Sequence, residues 1–336
     1  MVERSIAGTR VLVTGAGLVG SRLVERLVGE DVKEVRVLDR SARQLERLGA
    51  DVDGRVGDIT DAETVVAAAD GVDYVFHTAA VLEGNDVEAY HRVNEWGTEV
   101  VAQAAASAGA RRLVHLSSVA VYGFATGDIS EDHPMRPTAQ AYSMSKAAGE
   151  AAAFTVGQAK DLEVTAIRPA GVFGPGSRYF TGTFMKRASR RPIRMVGSGR
   201  GVQPVVFIDD VVDLLVAVAT HPAAQGEVFH CAIDPPPTQR EYVQAYGRLI
   251  GNESFLGIPT GLVAALGSVI VPFSKKGTYA RQLPRNVRQI DKRVRYRMDK
   301  AEARLGWRPR FDVAAGVAAS VPWLVENGFV DEGELV

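Results

Sequence analysis

Residues 10–28, RVLVTGAGLVGSRLVERLV, constrain the fold more than any other stretch of the chain. A β-branched, apolar run at 10–15 meets a glycine turn at 14–20 and passes into a helical pattern over 21–28, with Leu23, Val24 and Leu27 at helical spacing. A strand that is apolar without alternation belongs to a sheet covered on both faces, as parallel sheets are. Gly15, Gly17 and Gly20 stand as Gly-x-Gly-x-x-Gly between the strand and the helix, with Leu18 and Val19 inside the turn. There Gly15 permits the tight turn, Gly17 admits a pyrophosphate to the backbone, and Gly20 lets helix and strand pack closely. The helix N-terminus offers free N–H groups to the phosphates. Asp39 ends the next strand, 34–39, 19 residues past Gly20. A carboxylate there accepts the adenosine ribose hydroxyls and repels a 2′-phosphate, which favours NAD over NADP. Arg40, its neighbour, can pair with such a phosphate and tempers that preference.

Further strands are predicted at 56–59, 73–79, 112–118 and 163–169, with helices over 62–69, 89–108 and 142–159 between them. The alternation predicts an α/β fold, a Rossmann-like doubly wound parallel sheet with right-handed crossovers. After Gly171 glycine and proline thicken; a strand and helix resume over 205–219, and Pro235–Pro237 break the chain before a helix at 239–250. The expected organisation is an NAD(P)-binding domain over 1–170 and a smaller, mixed substrate-binding region over 171–336, with some elements returning to the core.

Net charge is −1, which gives no drive toward nucleic acid. One cysteine, Cys231, excludes an internal disulfide framework, fits a reducing cytoplasm and reads as a buried core residue. The start, MVERSIAGTR, is polar and runs into a strand, so no signal peptide is expected. The longest apolar run, 261–272, is too short to span a bilayer. The six histidines show no ligand spacing, and no metal is expected. Residues 275–297 hold nine Lys/Arg and one Asp. That run reads as a solvated lid, as a contact for an anionic substrate, or, with the apolar helix beside it, as a peripheral membrane contact.

Tyr142 and Lys146 are four residues apart on a predicted helix and so share a face. A free phenol has a pKa near ~10, too high for an efficient base at neutral pH, and an adjacent ammonium lowers it. Ser117 and Ser118, at the end of the 112–118 strand, can hold the reacting oxygen toward the tyrosine. A Tyr-x-x-x-Lys pair by itself is common on amphipathic helices.

The pair has company. TGAGLVG, the strand end at Asp39, GDITD with Asp58 and Ile59, HTAA at 77–80, VNEWGT with Asn94, LSSVAVYG, YSMSK and RPAGVFGPG at 168–176 occur in this order. With MDKAEARLGWRP at 298–309 they resemble the extended short-chain dehydrogenase/reductase family, also called the NAD-dependent epimerase/dehydratase family, over nearly the whole length. The resemblance implies Ser118 rather than Ser117 as the catalytic serine, Tyr142 as acid/base, and Lys146 binding the nicotinamide ribose. It places Asp58 and Ile59 beside the adenine and implies a homodimer built on two long helices. Thr78, Ala79, Ala80, Pro169, Gly171 and Val172 complete the expected cofactor set with Asn94, which either shapes the region behind the site or is a plain helix-surface residue. Val119, Tyr122, Arg200 and Gln203 are the expected substrate contacts. Family members usually carry Gly-x-x-Gly-x-x-Gly, one residue longer than the turn here.

Three places narrow the reaction. Sugar-nucleotide 4,6-dehydratases resemble this chain but carry Asp-Glu after the catalytic hydroxyl residue, where Val119 and Ala120 stand. Nucleotide-sugar epimerases place a diphosphate-gripping arginine where this chain has Gln203, and an amide cannot form the bidentate pair; Arg200 can replace it from the preceding loop. The stretch 258–277 resembles members acting on steroids, flavonoid-like ketones and aldehydes. The first expectation is therefore an NAD(P)-dependent oxidoreductase acting on a small-molecule secondary alcohol or ketone, steroid-dehydrogenase-like or carbonyl-reductase-like. The alternatives are a nucleotide-sugar epimerase and a non-catalytic dinucleotide sensor; Ser118, Tyr142 and Lys146, all intact, argue against the sensor.

Overall fold

Val11, Leu12 and Val13 are fully buried, because β1 (Arg10–Thr14) lies mid-sheet with helices on both sides. The computed structural model describes residues 5–263, 265 and 291–336. Seven parallel strands form the central sheet in the order β11-β7-β5-β4-β1-β2-β3. They are β1, β2 (Glu34–Asp39), β3 (Val52–Val56), β4 (Tyr74–His77), β5 (Arg112–Leu116), β7 (Glu163–Pro169) and β11 (Val228–Cys231). The fold is a Rossmann-like α/β sandwich. Leu23, Val24 and Leu27 of α1 (Leu18–Val28) and Val211, Leu214, Leu215 and Val218 of α8 (Ile208–Thr220) cover one face. Val65 and Ala68 of α3 (Ala62–Ala69), Val100, Val101 and Ala104 of α5 (Gly97–Ser107) and Ala153 and Val156 of α6 (Ala141–Lys160) cover the other. Each such buried valine or leucine side chain contributes on the order of 1.5–3 kcal/mol.

A third core joins Phe173 of β8 (Gly171–Phe173) and Phe207 of β10 (Val205–Phe207) to Phe184 and Met185 of α7 (Thr183–Ala188) and Tyr242 and Tyr246 of α9 (Gln239–Arg248). Small pairs surround it: β8 with β10, and β9 (Ile193–Val196) with β12 (Phe255–Ile258). The second half is not self-contained, since β11 takes an edge of the main sheet and α8 packs on it. In a further pair, β13 (Val294–Tyr296) runs parallel to β6 (Gly127–Ile129), which brings Tyr296, near the end of the basic run, to the site. Most of the apolar run at 261–272 and of the basic run at 275–297 lies outside the described residues.

Two expectations need correction. The strand placed at 56–59 is β3, Val52–Val56. It is a sheet edge, partly exposed along its length and interrupted by Gly54, so its apolar signal is weak. The helix expected over 89–108 is α4 (Val87–His91), a π-helical turn at Arg92–Trp96, and α5. An inserted π turn leaves composition and apolar spacing almost unchanged, and such turns occur often at functional sites. Among the described residues no helix is long and apolar enough to cross a membrane.

Candidate active site

The chain reverses its direction of travel through the sheet between β1 and β4, and the carboxyl ends of the strands open a crevice there. A cleft of about 1090 Å³ occupies it. Its lining brings together Gly15, Gly17, Leu18, Val19, Gly20, Asp39, Arg40, Asp58, Ile59, Thr78, Ala79, Ala80, Ser118, Val119, Tyr142, Lys146, Pro169, Gly171 and Val172. Asn94, Tyr122, Arg200 and Gln203 are not part of that lining.

The glycine turn is built for close backbone contact. Gly15 has φ +88°, and a Cβ on it would lie 2.6 Å from the Ala79 Cα. A Cβ on Gly20 would lie 1.8 Å from the Gly15 carbonyl oxygen. The Thr78 hydroxyl donates to that carbonyl at 2.9 Å and so ties the turn to the end of β4. Asp39 accepts from the Ala16 amide at 2.7 Å through Oδ2 and from the Ser41 amide at 2.7 Å through Oδ1. The carboxylate is thereby aimed at the cleft, and each oxygen keeps a lone pair for a ribose hydroxyl. Arg40 is exposed, with its guanidinium 3.8 Å from Asp58.

At the other end, Ser118 and Tyr142 are hydrogen-bonded through their side chains. Ser118 Oγ also accepts from the Ala120 amide at 3.1 Å, capping the 3-10 turn Val119–Tyr122. Ser117 lines the same cleft, yet its hydroxyl donates to Glu150 at 2.5 Å. The geometry thus separates two serines that the residue pattern leaves equivalent. Lys146 is buried and donates to the Leu116 carbonyl at 2.5 Å. Burial drives its pKa down to about 8, against the opposing charge of Glu150. Burial also raises the Tyr142 phenol above its ordinary value, and the Ser118 hydrogen bond opposes that rise. The expected net depression of the phenol is not what the site imposes, because desolvation disfavours the phenolate more than its neighbours favour it. Behind Lys146, burial and then its charge push His77 down to about 3 and His115 well below the usual range, so both are neutral at working pH.

Asn94 does not sit on a helix surface. It is 1% exposed on the π turn, accepts from the Val81 amide at 2.7 Å and donates to the Val81 carbonyl at 3.0 Å and Ser145 Oγ at 3.0 Å. It therefore pins the cleft wall at Val81 to the helix that carries Tyr142. Tyr122, expected at the substrate, points into the core at 1% exposure. Its hydroxyl pairs with His230 Nε2 at 2.7 Å and accepts from Arg168. The 3-10 turn after Ser118 rotates it away from the cleft. Arg200 is exposed on the 198–201 loop, and Gln203 donates its backbone N–H to the Pro237 carbonyl at 2.8 Å.

Residue reasoning missed Leu82, Arg178, Tyr179, Phe180 and Tyr296, all of which line the cleft. The Arg-Tyr-Phe run just after the second glycine-rich turn was a readable signal for three of them. A Cβ on Gly171 would lie 2.4 Å from the Phe180 ring, so that ring rests on the Gly171 backbone. Among the described residues no group of three or more His, Cys, Asp or Glu is gathered as a metal site requires.

A model of the NAD dependent epimerase/dehydratase family matches residues 11–232, and the chain belongs to that family. It is 31% identical over 333 residues to the UDP-glucose 4-epimerase of Mycolicibacterium smegmatis, covering 93% of this chain and 97% of that one. It is 30% identical over 255 residues to the 2-alkyl-3-oxoalkanoate reductase of Stenotrophomonas maltophilia, covering 72% and 76%. The solved structure of the epimerase Mth375 from Methanothermobacter thermautotrophicus shares the fold, with a TM-score of 0.78 at 24% identity, covering 96% and 94%. This chain is an enzyme of the family.

Proposed function

We propose that the protein is an NAD-dependent dehydrogenase or reductase that moves a hydride between nicotinamide and a hydrophobic secondary alcohol or ketone. The observation that carries this reading is the wall beyond the cofactor residues: Val81, Leu82, Val119, Tyr179, Phe180 and Tyr296. Leu82 and Tyr179 remain 60% and 62% exposed, apolar surface that a hydrophobic substrate would cover. Arg200, the one candidate to replace the epimerases' diphosphate arginine, is absent from that wall, as is Gln203, which stands at that arginine's position.

The glycine turn and Asp39 fit a dinucleotide, with the turn amides toward the pyrophosphate and the carboxylate toward the adenosine ribose. When bound, the nicotinamide exchanges the hydride. Ser118 orients the substrate oxygen by hydrogen bonding, and Tyr142 gives or takes the proton at that oxygen. Lys146 holds the nicotinamide ribose hydroxyls as an ammonium. We place the homodimer contact on the two long helical stretches, α6 and the run formed by α4, the π turn and α5.

The test is an NAD absorbance assay on two pools, hydrophobic secondary alcohols including sterols, and nucleotide sugars, with products identified by mass spectrometry and chromatography. Net NADH from the first pool is expected. Sugar isomerisation without net NADH would overturn the reading in favour of an epimerase. One observation favours that second reading: Arg178, a cation in the cleft lining, can meet a diphosphate. Asp39→Ser is expected to weaken NAD by about tenfold or more through lost charge-assisted hydrogen bonds and to narrow the gap to NADP. Isothermal titration with both cofactors checks this, and an unchanged NAD affinity would remove Asp39 from the ribose site.

A further inference from the structure

Three successive turns of α6 dock on three successive residues at the end of β5. Tyr142 bonds Ser118, Lys146 donates to the Leu116 carbonyl at 2.5 Å, and Glu150 accepts from Ser117 at 2.5 Å. The helix residues are spaced by four and share a face. The first two rungs belong to the chemistry proposed above; the third has no role there. Glu150 is 2% exposed, and Arg168 of β7, 4% exposed, binds it with two nitrogens, one of them Nε at 2.9 Å. Arg168 is satisfied on its other side by the Tyr122 hydroxyl and by the Glu131 carbonyl at 3.1 Å.

A buried ion pair is an expensive way to brace a helix, since well-packed apolar side chains of similar volume do so at least as well. Its placement gives it another use. The charged and titratable groups around Lys146 are Tyr142 and Glu150 on its own helix, His77 on β4, His115 on β5 and, through Glu150, Arg168 on β7. The histidines are neutral, and Glu150 is the anion in this group.

We propose that Glu150 is a positioning residue of the catalytic centre, holding the Ser117–Ser118 strand end against Tyr142 and keeping Lys146 cationic, with Arg168 as its counter-charge. The proposal rests on the reading of Lys146 as a ribose-binding ammonium. It follows that Glu150 sets the upper pH limit of cofactor binding although it does not line the cleft.

Fluorescence titration with NADH across neutral and alkaline pH tests it. Wild-type affinity is expected to fall as pH rises through about 8, where Lys146 loses its proton. In Glu150→Gln that fall is expected at lower pH by on the order of one unit, and Glu150→Asp is expected to restore its position. Glu150→Gln leaves Arg168 buried without its partner and can fail to fold. Glu150→Gln combined with Arg168→Met removes both charges and is expected to show a shift of the same sign. If these variants bind more weakly at every pH while the fall stays at the wild-type pH, Glu150 is only a brace and the proposal is overturned. Lys146→Met distinguishes the underlying reading: it should bind weakly with no such fall. A Lys146→Met protein that keeps wild-type affinity and pH dependence would overturn the Lys146 reading, and the Glu150 proposal with it.

Discussion

Tyr142→Phe is expected to lower kcat by about 10²- to 10⁴-fold while leaving NADH titration unchanged. The substitution removes one oxygen and keeps the ring that fills the site. What is lost is the proton donor or acceptor at the substrate oxygen, and general acid–base catalysis contributes on that scale. Ser118 loses its side-chain partner in the same step. Ser118→Ala should therefore cost less than Tyr142→Phe alone, and the double variant little more than Tyr142→Phe, because the two groups act as a unit. Turnover that survives in Tyr142→Phe would take the acid/base role away from this residue, and a silent-sensor reading predicts no activity to lose. Stopped-flow measurement of NADH formation separates this from slow product release, since only the chemical step should lengthen.

What could be read in the chain divides by range. β2 and α3 carry the bounds expected of them, because a short apolar strand ending in an acid, and an alanine-rich helix begun by Asp61, are local signals. The glycine turn was legible for the same reason: three glycines fall within six residues, and at Gly15 and Gly20 an added Cβ would meet backbone at distances no side chain tolerates. Expectations failed where one residue's placement depends on a distant partner. Tyr122 stands four residues after Ser118 in sequence, but His230 and Arg168, from β11 and β7, hold it in the core. Asn94 was ambiguous because a π turn, not helical periodicity, buries it. Tyr296 reaches the cleft only because β13 pairs with β6, a contact between residues more than 150 apart. The Glu150–Arg168 pair, 18 residues apart on a helix and a strand, is likewise invisible before the two pack. The cofactor half of the site is thus local and readable, while the substrate wall is tertiary.

Gly20→Ala is expected to destabilise the folded protein by about 2 kcal/mol or more and to weaken NAD on the order of a hundredfold. The added methyl would sit 1.8 Å from the Gly15 carbonyl oxygen and 2.6 Å from Thr78 Oγ1. Backbone cannot yield as a flexible side chain does, so α1 must separate from the turn, a form of overpacking with a cost of that order. The same displacement moves the turn amides off the pyrophosphate, and two charge-assisted hydrogen bonds lost together give the loss of affinity. Gly17→Ala separates the two effects. Nothing lies within 4 Å of a Cβ built at Gly17, so urea unfolding should match wild type. Affinity for NAD should nonetheless fall, because the methyl projects where the pyrophosphate must approach. If Gly17→Ala bound NAD as wild type does, the dinucleotide would cross the turn elsewhere, and the shorter Gly-x-Gly spacing would have changed the binding mode as well as the sequence.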